Sequence, residues 1–245
     1  ALFWFLLAVY LLTYSPRFHS SDGLAMFSTA ESLARRGEWD IDQIRWMGLQ
    51  QGTFGLDGRL YSRKGVGVSL LELPLVWLGL TVPIWGAATT ALLFNAIVTA
   101  ATGAIVLLYL QRLGYDHRVA LVAGLTFGLA TLAWPYAKTC FSDPLAGLCL
   151  VGAALALLRF RDKGRAPDVF WAGLALAVAV AARYANAILI VPFLGLLLFQ
   201  IAKQQISHQP SAISQPPTSN LQSLISALTA FGLPLAAVAA AIALY

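Results

Sequence analysis

Eight apolar segments punctuate the chain, at about 1–15, 66–82, 86–111, 119–136, 144–160, 169–182, 185–201 and 221–245. Several approach or exceed the roughly 17–25 apolar residues that cross a bilayer as one helix. None alternates in the two-residue rhythm of a membrane strand. A lipid-embedded backbone must satisfy its own hydrogen bonds, so these segments predict helices. The fold class expected is all-α, a polytopic membrane helical bundle of about seven spans. Residues 1–245 read as one transmembrane domain. The abrupt apolar beginning and end read as those of a piece of a longer chain.

The polar positions are unevenly spread. The stretch from about Ser15 to Lys64 holds six of the eleven acidic residues (Asp22, Glu31, Glu38, Asp40, Asp42 and Asp57) and seven of the sixteen basic ones. Within it, Asp22–Arg36 predicts a helix on the membrane surface. Ser21 or Asp22 serves as its N-cap, and Leu24, Phe27, Ala30 and Ala34 lie roughly on one face. Arg35 and Arg36 suit its C-terminal dipole, and Gly37 stops it. Trp39, Trp46 and Tyr61 suit an interfacial belt.

Charge then orients the bundle. Arg112–Arg118 and Arg159–Arg165 are short basic turns. Lys203 opens a Gln/Ser/Pro-rich linker over 203–220. Short basic loops favour the cytoplasmic side, and spans in pairs separate these three. Segment 66–82 decides the rest. It carries Glu72 and Pro74 near its middle; a central carboxylate costs about 2.5–3.5 kcal/mol at mid-bilayer, and proline breaks the helix ladder. An interfacial or re-entrant helix is the favoured reading, with an ordinary span and a paired Glu72 as its rival. The interfacial reading makes residues 16–85 a first extracytoplasmic loop with surface helices, on the same face as the 137–143 turn.

Composition excludes several classes. The chain is 59% hydrophobic and 11% charged, against about 25% charged in a soluble domain. The net charge of +5 sits at helix ends, where topology explains it, so no nucleic-acid partner is expected. Cys140 and Cys149 are nine residues apart, about 13 Å along a helix, too far for a disulfide. No metal-ligand spacing is present. Asn95 and Asn186 suit interhelical hydrogen bonds. The glycines after Lys64 do not form a phosphate loop, because the glycine-rich run does not precede the lysine.

Four ionisable positions remain at the expected outer face: Asp22, Lys64 with Arg63, Asp143 and Arg183. Singly, each has an ordinary reading as a helix cap or headgroup anchor. Together, two carboxylates and two or three cations suit a phosphate-bearing substrate and an acid–base step. Charges within a membrane protein also mark transport pathways, so a transporter or flippase for an anionic isoprenyl lipid is the competing class. Such a protein should show broken helices and symmetric halves, and no internal repeat is visible.

The order of motifs resembles a known family. Asp22 is followed by Ala30, Ser32, Leu33, Gly37 and Trp39, then by Tyr61-Ser-Arg-Lys64-Gly. The basic turn 112–118, Ser142-Asp143-Pro144 and Ala182-Arg183-Tyr184 come after. This is similar to the GT-C glycosyltransferases of the protein-mannosyltransferase and aminoarabinose-transferase type, over most of residues 1–200. The resemblance implies a multi-pass protein of a bacterial plasma membrane with an extracytoplasmic site. It implies transfer, with inversion, of a sugar from a polyprenyl-phosphate donor to a hydroxyl of a glycan, lipid or protein. Asp22 resembles the base or its orienting residue, and Asp143 the second aspartate near it. Lys64, with Arg63 beside it, and Arg183 resemble the donor-phosphate ligands. No cofactor is implied, and two cations can neutralise a monophosphate without a metal. The chain departs from the pattern at Gly23, where many relatives carry Glu after the Asp. Relatives also commonly have more spans and a soluble outer domain.

Overall fold

The computed structural model describes residues 1–82, 84–207 and 218–244, and they form an all-α polytopic membrane bundle with one small hairpin. The helices are α1 (Leu2–Leu12), α2 (Ser21–Arg36), α3 (Val66–Thr81), α4 (Ala87–Arg112), α5 (His117–Ala130), α6 (Ala133–Tyr136), α7 (Asp143–Lys163), α8 (Ala166–Ala182), α9 (Ile190–Ser207) and α10 (Thr218–Leu244). Short 3-10 segments cover Asp42–Gln50 and Tyr184–Leu189. Four helical stretches are long and apolar enough to cross a membrane, at Ala87–Arg112, Asp143–Lys163, Tyr184–Gln204 and Leu224–Ala243. A total near seven is reached only by adding α1, α5 and α8, which are apolar but shorter. Of the linker over 203–220, the described ends are helical, within α9 and α10, and 208–217 lies outside the described residues.

Small residues let these helices approach closely, as bilayer helix packing requires. Leu6 and Tyr10 of α1 are fully buried with Ala96 and Ala100 of α4. The Tyr10 hydroxyl donates to the Gly128 carbonyl at 2.9 Å. A second core joins Leu157, Leu176, Leu197 and Phe231 from α7 to α10. There Gly173 of α8 lies against the Phe231 backbone with no room for a Cβ.

Helix α2 differs from expectation in two ways. Its N-cap is Ser20, whose Oγ accepts from the Gly23 N–H at 3.0 Å. Its apolar face is not laid on lipid: Phe27 and Ala30 pack with Val76 of α3 and Ala91 of α4. On other sides Ala25 meets Ile41 and Leu60, and Met26 meets Val68. The helix is thus set into protein. The C-terminal end follows the sequence reading, with Gly37 at φ 69° closing the last turn on Leu33.

The loop after α2 contains strands β1 (Gly52–Phe54) and β2 (Leu60–Ser62), paired antiparallel with Thr53 opposite Tyr61. Sequence reading passed over this hairpin. Its turn signal was Asp57-Gly58, with Gly58 at φ 76°. Charges in this loop are also less superficial than expected. Asp40 is 1% exposed. Arg36 reaches it at 2.8 Å, and Arg59 bonds Glu38 at 2.7 Å. These pairs fasten the end of α2 to the hairpin.

Helix α3 runs unbroken through Pro74, whose ring is on an exposed side. The proline removes one backbone bond without stopping the helix. Ser69, Glu72, Val76 and Gly79 form the buried stripe, while Leu70, Leu71 and Trp77 face outward. Three points fix how α3 lies. Gly67 packs against Ala181–Ala182 at the end of α8. Glu72 meets Cys140 in the turn before α7. Gly79 packs against Gly86–Ala87 at the start of α4. That end of α4 is tied to the end of α1 by the Tyr14 hydroxyl, which donates to the Thr89 carbonyl. Asn95 Nδ2 donates to the carbonyls of Thr139 and Phe141, joining α4 to the same turn. So α3 runs along one face of the bundle and touches the ends of its neighbours. The long loop thereby lies beside the 137–143 turn. At the opposite face, Arg112 lies 3.9 Å from Asp162, joining the two basic turns.

Two predictions follow from this packing. A Cβ at Gly65 would strike the carbonyls of Ala181 and Ala182, whereas one at Gly152 meets nothing within 4 Å. Gly65→Ala should therefore destabilise by about 1–3 kcal/mol, and Gly152→Ala should be neutral or slightly stabilising. Thermal unfolding in detergent reads both. In the hairpin network, hydrogen bonds from Arg59 and then Arg36 hold the Glu38 carboxyl below its ordinary value of 4.5. A lowered folded pKa stabilises above the unfolded value and is lost as pH falls through the folded one. Amides of 52–62 should exchange faster as pH drops below 4.5, after correction for intrinsic exchange, with no such change between pH 6 and 8.

Candidate active site

Four of the ionisable positions singled out in the sequence, Asp22, Lys64, Asp143 and Arg183, form two ion pairs. Lys64 Nζ lies 2.8 Å from Asp22 Oδ2, and Arg183 donates to Asp143 Oδ1 at 2.8 Å. Each side chain is between 32% and 56% exposed, so both pairs are open to water and ligand. Arg63 is not part of this group. It turns back to the hairpin and donates from Nε to Thr53 Oγ1 at 3.1 Å. Strand alternation accounts for the split, because neighbouring residues leaving β2 point to opposite sides.

Local structure delivers each charge. Asp22 stands in the first turn of α2, just after its Ser20 cap. Lys64 stands between β2 and α3, with its N–H held by Ser62 Oγ at 3.1 Å. Asp143 opens α7 with Pro144 behind it, and Ser142 rather than Asp143 is the capping position. Arg183 ends α8 in extended backbone, at φ −153° and ψ 110°.

Two glycine contacts bring the four backbone segments that bear the pairs side by side in a ring. Gly65, next to Lys64, lies on the carbonyls of Ala181 and Ala182, next to Arg183. Gly23, next to Asp22, lies on the carbonyl of Cys140, three residues before Asp143. The order around the ring is Asp22, Lys64, Arg183, Asp143 and back to Asp22. Gly23 also explains the chain's departure from Asp-Glu: a side chain there would collide with the Cys140 backbone. The glycines after Lys64 are contact residues for α8. Nearby, the Tyr184 hydroxyl meets the Val66 backbone and reinforces the seam.

Beneath the ring lies a second layer that the sequence reading did not assemble. Glu72 is 0% exposed and forms no ion pair among the described residues. The Cys140 thiol donates to its Oε2 at 3.4 Å. Burial first, and the neighbouring carboxyl second, push that thiol well above its ordinary value, so it keeps its proton. Ser69 Oγ donates to the Met26 carbonyl at 2.8 Å. These contacts hold α3 against α2 and against the turn before α7. The two cysteines are buried and free, in keeping with their spacing.

An apolar groove of about 390 Å³ lies between the hairpin, α3, α8 and α10. Its walls include Trp39, Tyr61, Val66, Leu70, Ala181 and Ile242. Val66 and Ala181 are each two residues along the chain from a cation of the pairs, Lys64 and Arg183. The region thus combines two half-exposed cations and two half-exposed carboxylates with an apolar groove.

No curated protein and no solved structure matches the chain. The sequence model of the dolichyl-phosphate-mannose-protein mannosyltransferase family matches residues 74–214, more than half of its length. The match takes in Asp143 and Arg183 and begins after Lys64. The chain belongs to the dolichyl-phosphate-mannose-protein mannosyltransferase family and is a membrane glycosyltransferase of the GT-C type.

Proposed function

We propose that the ring transfers a sugar, with inversion, from a polyprenyl phosphate to an acceptor hydroxyl at the extracytoplasmic face. The observation that carries this reading is the joining of two carboxylates and two cations beside an apolar groove. The basic turns Arg112–Arg118 and Arg159–Arg165 lie at the other end of the bundle, which supports a cytoplasmic position for them and an outer position for the ring. On that reading residues 16–85 form an outer loop and 203–220 a cytoplasmic link.

The donor's lipid tail occupies the groove along Trp39, Tyr61 and Val66, with its phosphate between Lys64 and Arg183. Exposed ion pairs are worth only about 0–1 kcal/mol each. A phosphate that accepts charge-assisted hydrogen bonds from both cations therefore outcompetes the carboxylates. Phosphate binding thus loads the donor and frees Asp22 and Asp143 in one event.

The acceptor oxygen then attacks the anomeric carbon from the face opposite the phosphate. A carbon–oxygen bond forms to the acceptor as the bond from that carbon to the phosphate oxygen breaks. The hydroxyl proton passes to Asp22, and the bonding pair leaves with the phosphate, whose growing charge Lys64 and Arg183 stabilise. Asp143 orients Arg183 and borders the acceptor side.

Donor turnover in membranes tests the reading. Asp22→Asn should lower transfer by about 10²–10⁴-fold, the range for a lost general base. Insertion and thermal stability should stay near wild type, because an exposed pair contributes little to folding. Lys64→Gln should weaken binding of a fluorescent polyprenyl monophosphate and lower transfer, while Arg63→Gln should do neither. Near wild-type transfer by Asp22→Asn would exclude the assignment.

A further inference from the structure

At the end of the bundle opposite the ring, a small cavity lies between the C-terminal parts of α4 and α7, and the mechanism above does not use it. It holds about 190 Å³ and is lined by Leu108, Gln111 and Arg112 of α4 and by Leu155 and Arg159 of α7. Each helix places a leucine four residues before an arginine, so the two stack on one face, a turn apart. Leu108 and Leu155 thus form an apolar layer, and Arg112 and Arg159 form a cationic layer nearer the helix ends.

Two guanidinium groups on one cavity repel each other unless an anion lies near them. The protein provides little of one. Among the described residues Arg159 forms no ion pair, and its Nε is buried without a hydrogen-bond partner. Arg112 reaches Asp162 only at 3.9 Å, and that carboxylate lies closer to Arg161, at 3.1 Å. Nor are the two arginines occupied in capping helix ends. The carbonyls of Tyr109, Leu110 and Gln111 accept from the N–H groups of 113–115. The Phe160 carbonyl accepts from the Gly164 N–H and from Gln204 Nε2, which also reaches the Arg161 carbonyl. The turns around the cavity add to the excess: 112–118 and 159–165 together hold six Lys or Arg and two Asp.

We infer that this cavity binds the phosphate group of an anionic phospholipid from the leaflet that meets the basic turns. Planar guanidinium forks on two helices give charge-assisted hydrogen bonds to phosphate oxygens. Basic pockets between membrane helices suit such head groups. The leucine layer favours a lipid over a free phosphate. It continues the cavity away from the helix ends, and Leu108, 45% exposed, offers a surface to the first methylenes of an acyl chain. A soluble phosphate would leave that layer uncovered. The head group bridges α4 and α7, so its binding adds to the stability of the bundle.

Native mass spectrometry of the full chain, with phosphatidylglycerol or phosphatidylcholine of the same acyl chains, tests the site. Wild type should retain phosphatidylglycerol in preference, and should unfold at a higher temperature with it than with phosphatidylcholine. Arg112→Gln and Arg159→Gln should each lower that retention by about tenfold or more, as for lost hydrogen bonds to a charged group. Arg118→Gln and Arg165→Gln remove the same charge outside the cavity and should lower it by less than about threefold. Equal falls in all four variants would reduce the effect to general surface charge and overturn the site. Unchanged retention by Arg159→Gln, or equal retention of the two lipids by wild type, would do the same. Removal of the lipid by millimolar inorganic phosphate would assign the cavity to a soluble anion and overturn the lipid. Should Arg112→Gln fail to fold, Arg159→Gln still decides the matter. None of these readouts depends on sugar transfer.

Discussion

The site depends on backbone meeting backbone at Gly65 and Gly23. Charges on long side chains can be gathered only if the segments bearing them are already close, and here no side chain separates those segments. Gly65 sets the start of α3 on the end of α8, bringing Lys64 beside Arg183. Gly23 sets the start of α2 on the turn before α7, bringing Asp22 towards Asp143. The rest of the face supports those two approaches. Asn95 holds the 139–141 carbonyls, Ser69 ties α3 to α2, and Glu72 rests on Cys140. This arrangement also accounts for a polar stripe on the protein side of α3 and an apolar one outside. On the side of α3 that faces protein, Ser69 donates to the Met26 carbonyl and Glu72 Oε2 accepts from the Cys140 thiol.

The distribution of energy around the ring favours exchange over permanence. Half-exposed pairs at 2.8 Å contribute little to folding, because water competes for both members and ordering two long side chains offsets the attraction. The structure is held instead by glycine contacts, apolar clusters and the Asp40 network, where burial makes the same chemistry harder to disrupt. Stability thus rests on residues other than the four paired charges. A ligand can separate Lys64 from Asp22 without loosening the packing that positions them.

Much of this was readable in the chain because membrane helices announce themselves by unbroken hydrophobicity. The bounds of α2, α3, α4 and α7 came within a few residues, and the pooling of Asp22, Lys64, Asp143 and Arg183 at one face came from loop charge and motif order. What escaped was set by tertiary contact. Arg63 and Lys64 are equivalent by composition, and only the hairpin, itself missed, turns one away. Asp40 resembles any loop carboxylate until Arg36 and Arg59 enclose it. The apolar face of α2 was correct, but amphipathic periodicity does not reveal whether protein or lipid covers that face. Pro74 suggested a break because the ladder loses a bond there. With its ring on an exposed side of a short helix, that loss is tolerated.

The same geometry bears on the missing second carboxylate. In a chain with Asp-Glu at this point, the added side chain would need the space that the Cys140 carbonyl fills here. With glycine there, α2 lies directly on the turn before α7, and Asp22 is the acid that α2 sets against Lys64. A single carboxylate paired with Lys64 has a single trigger, the arrival of an anion that takes the lysine. Two adjacent carboxylates would instead share that lysine. Gly23 thus leaves Asp22 paired with Lys64 through the same contact that sets α2 on the turn before α7.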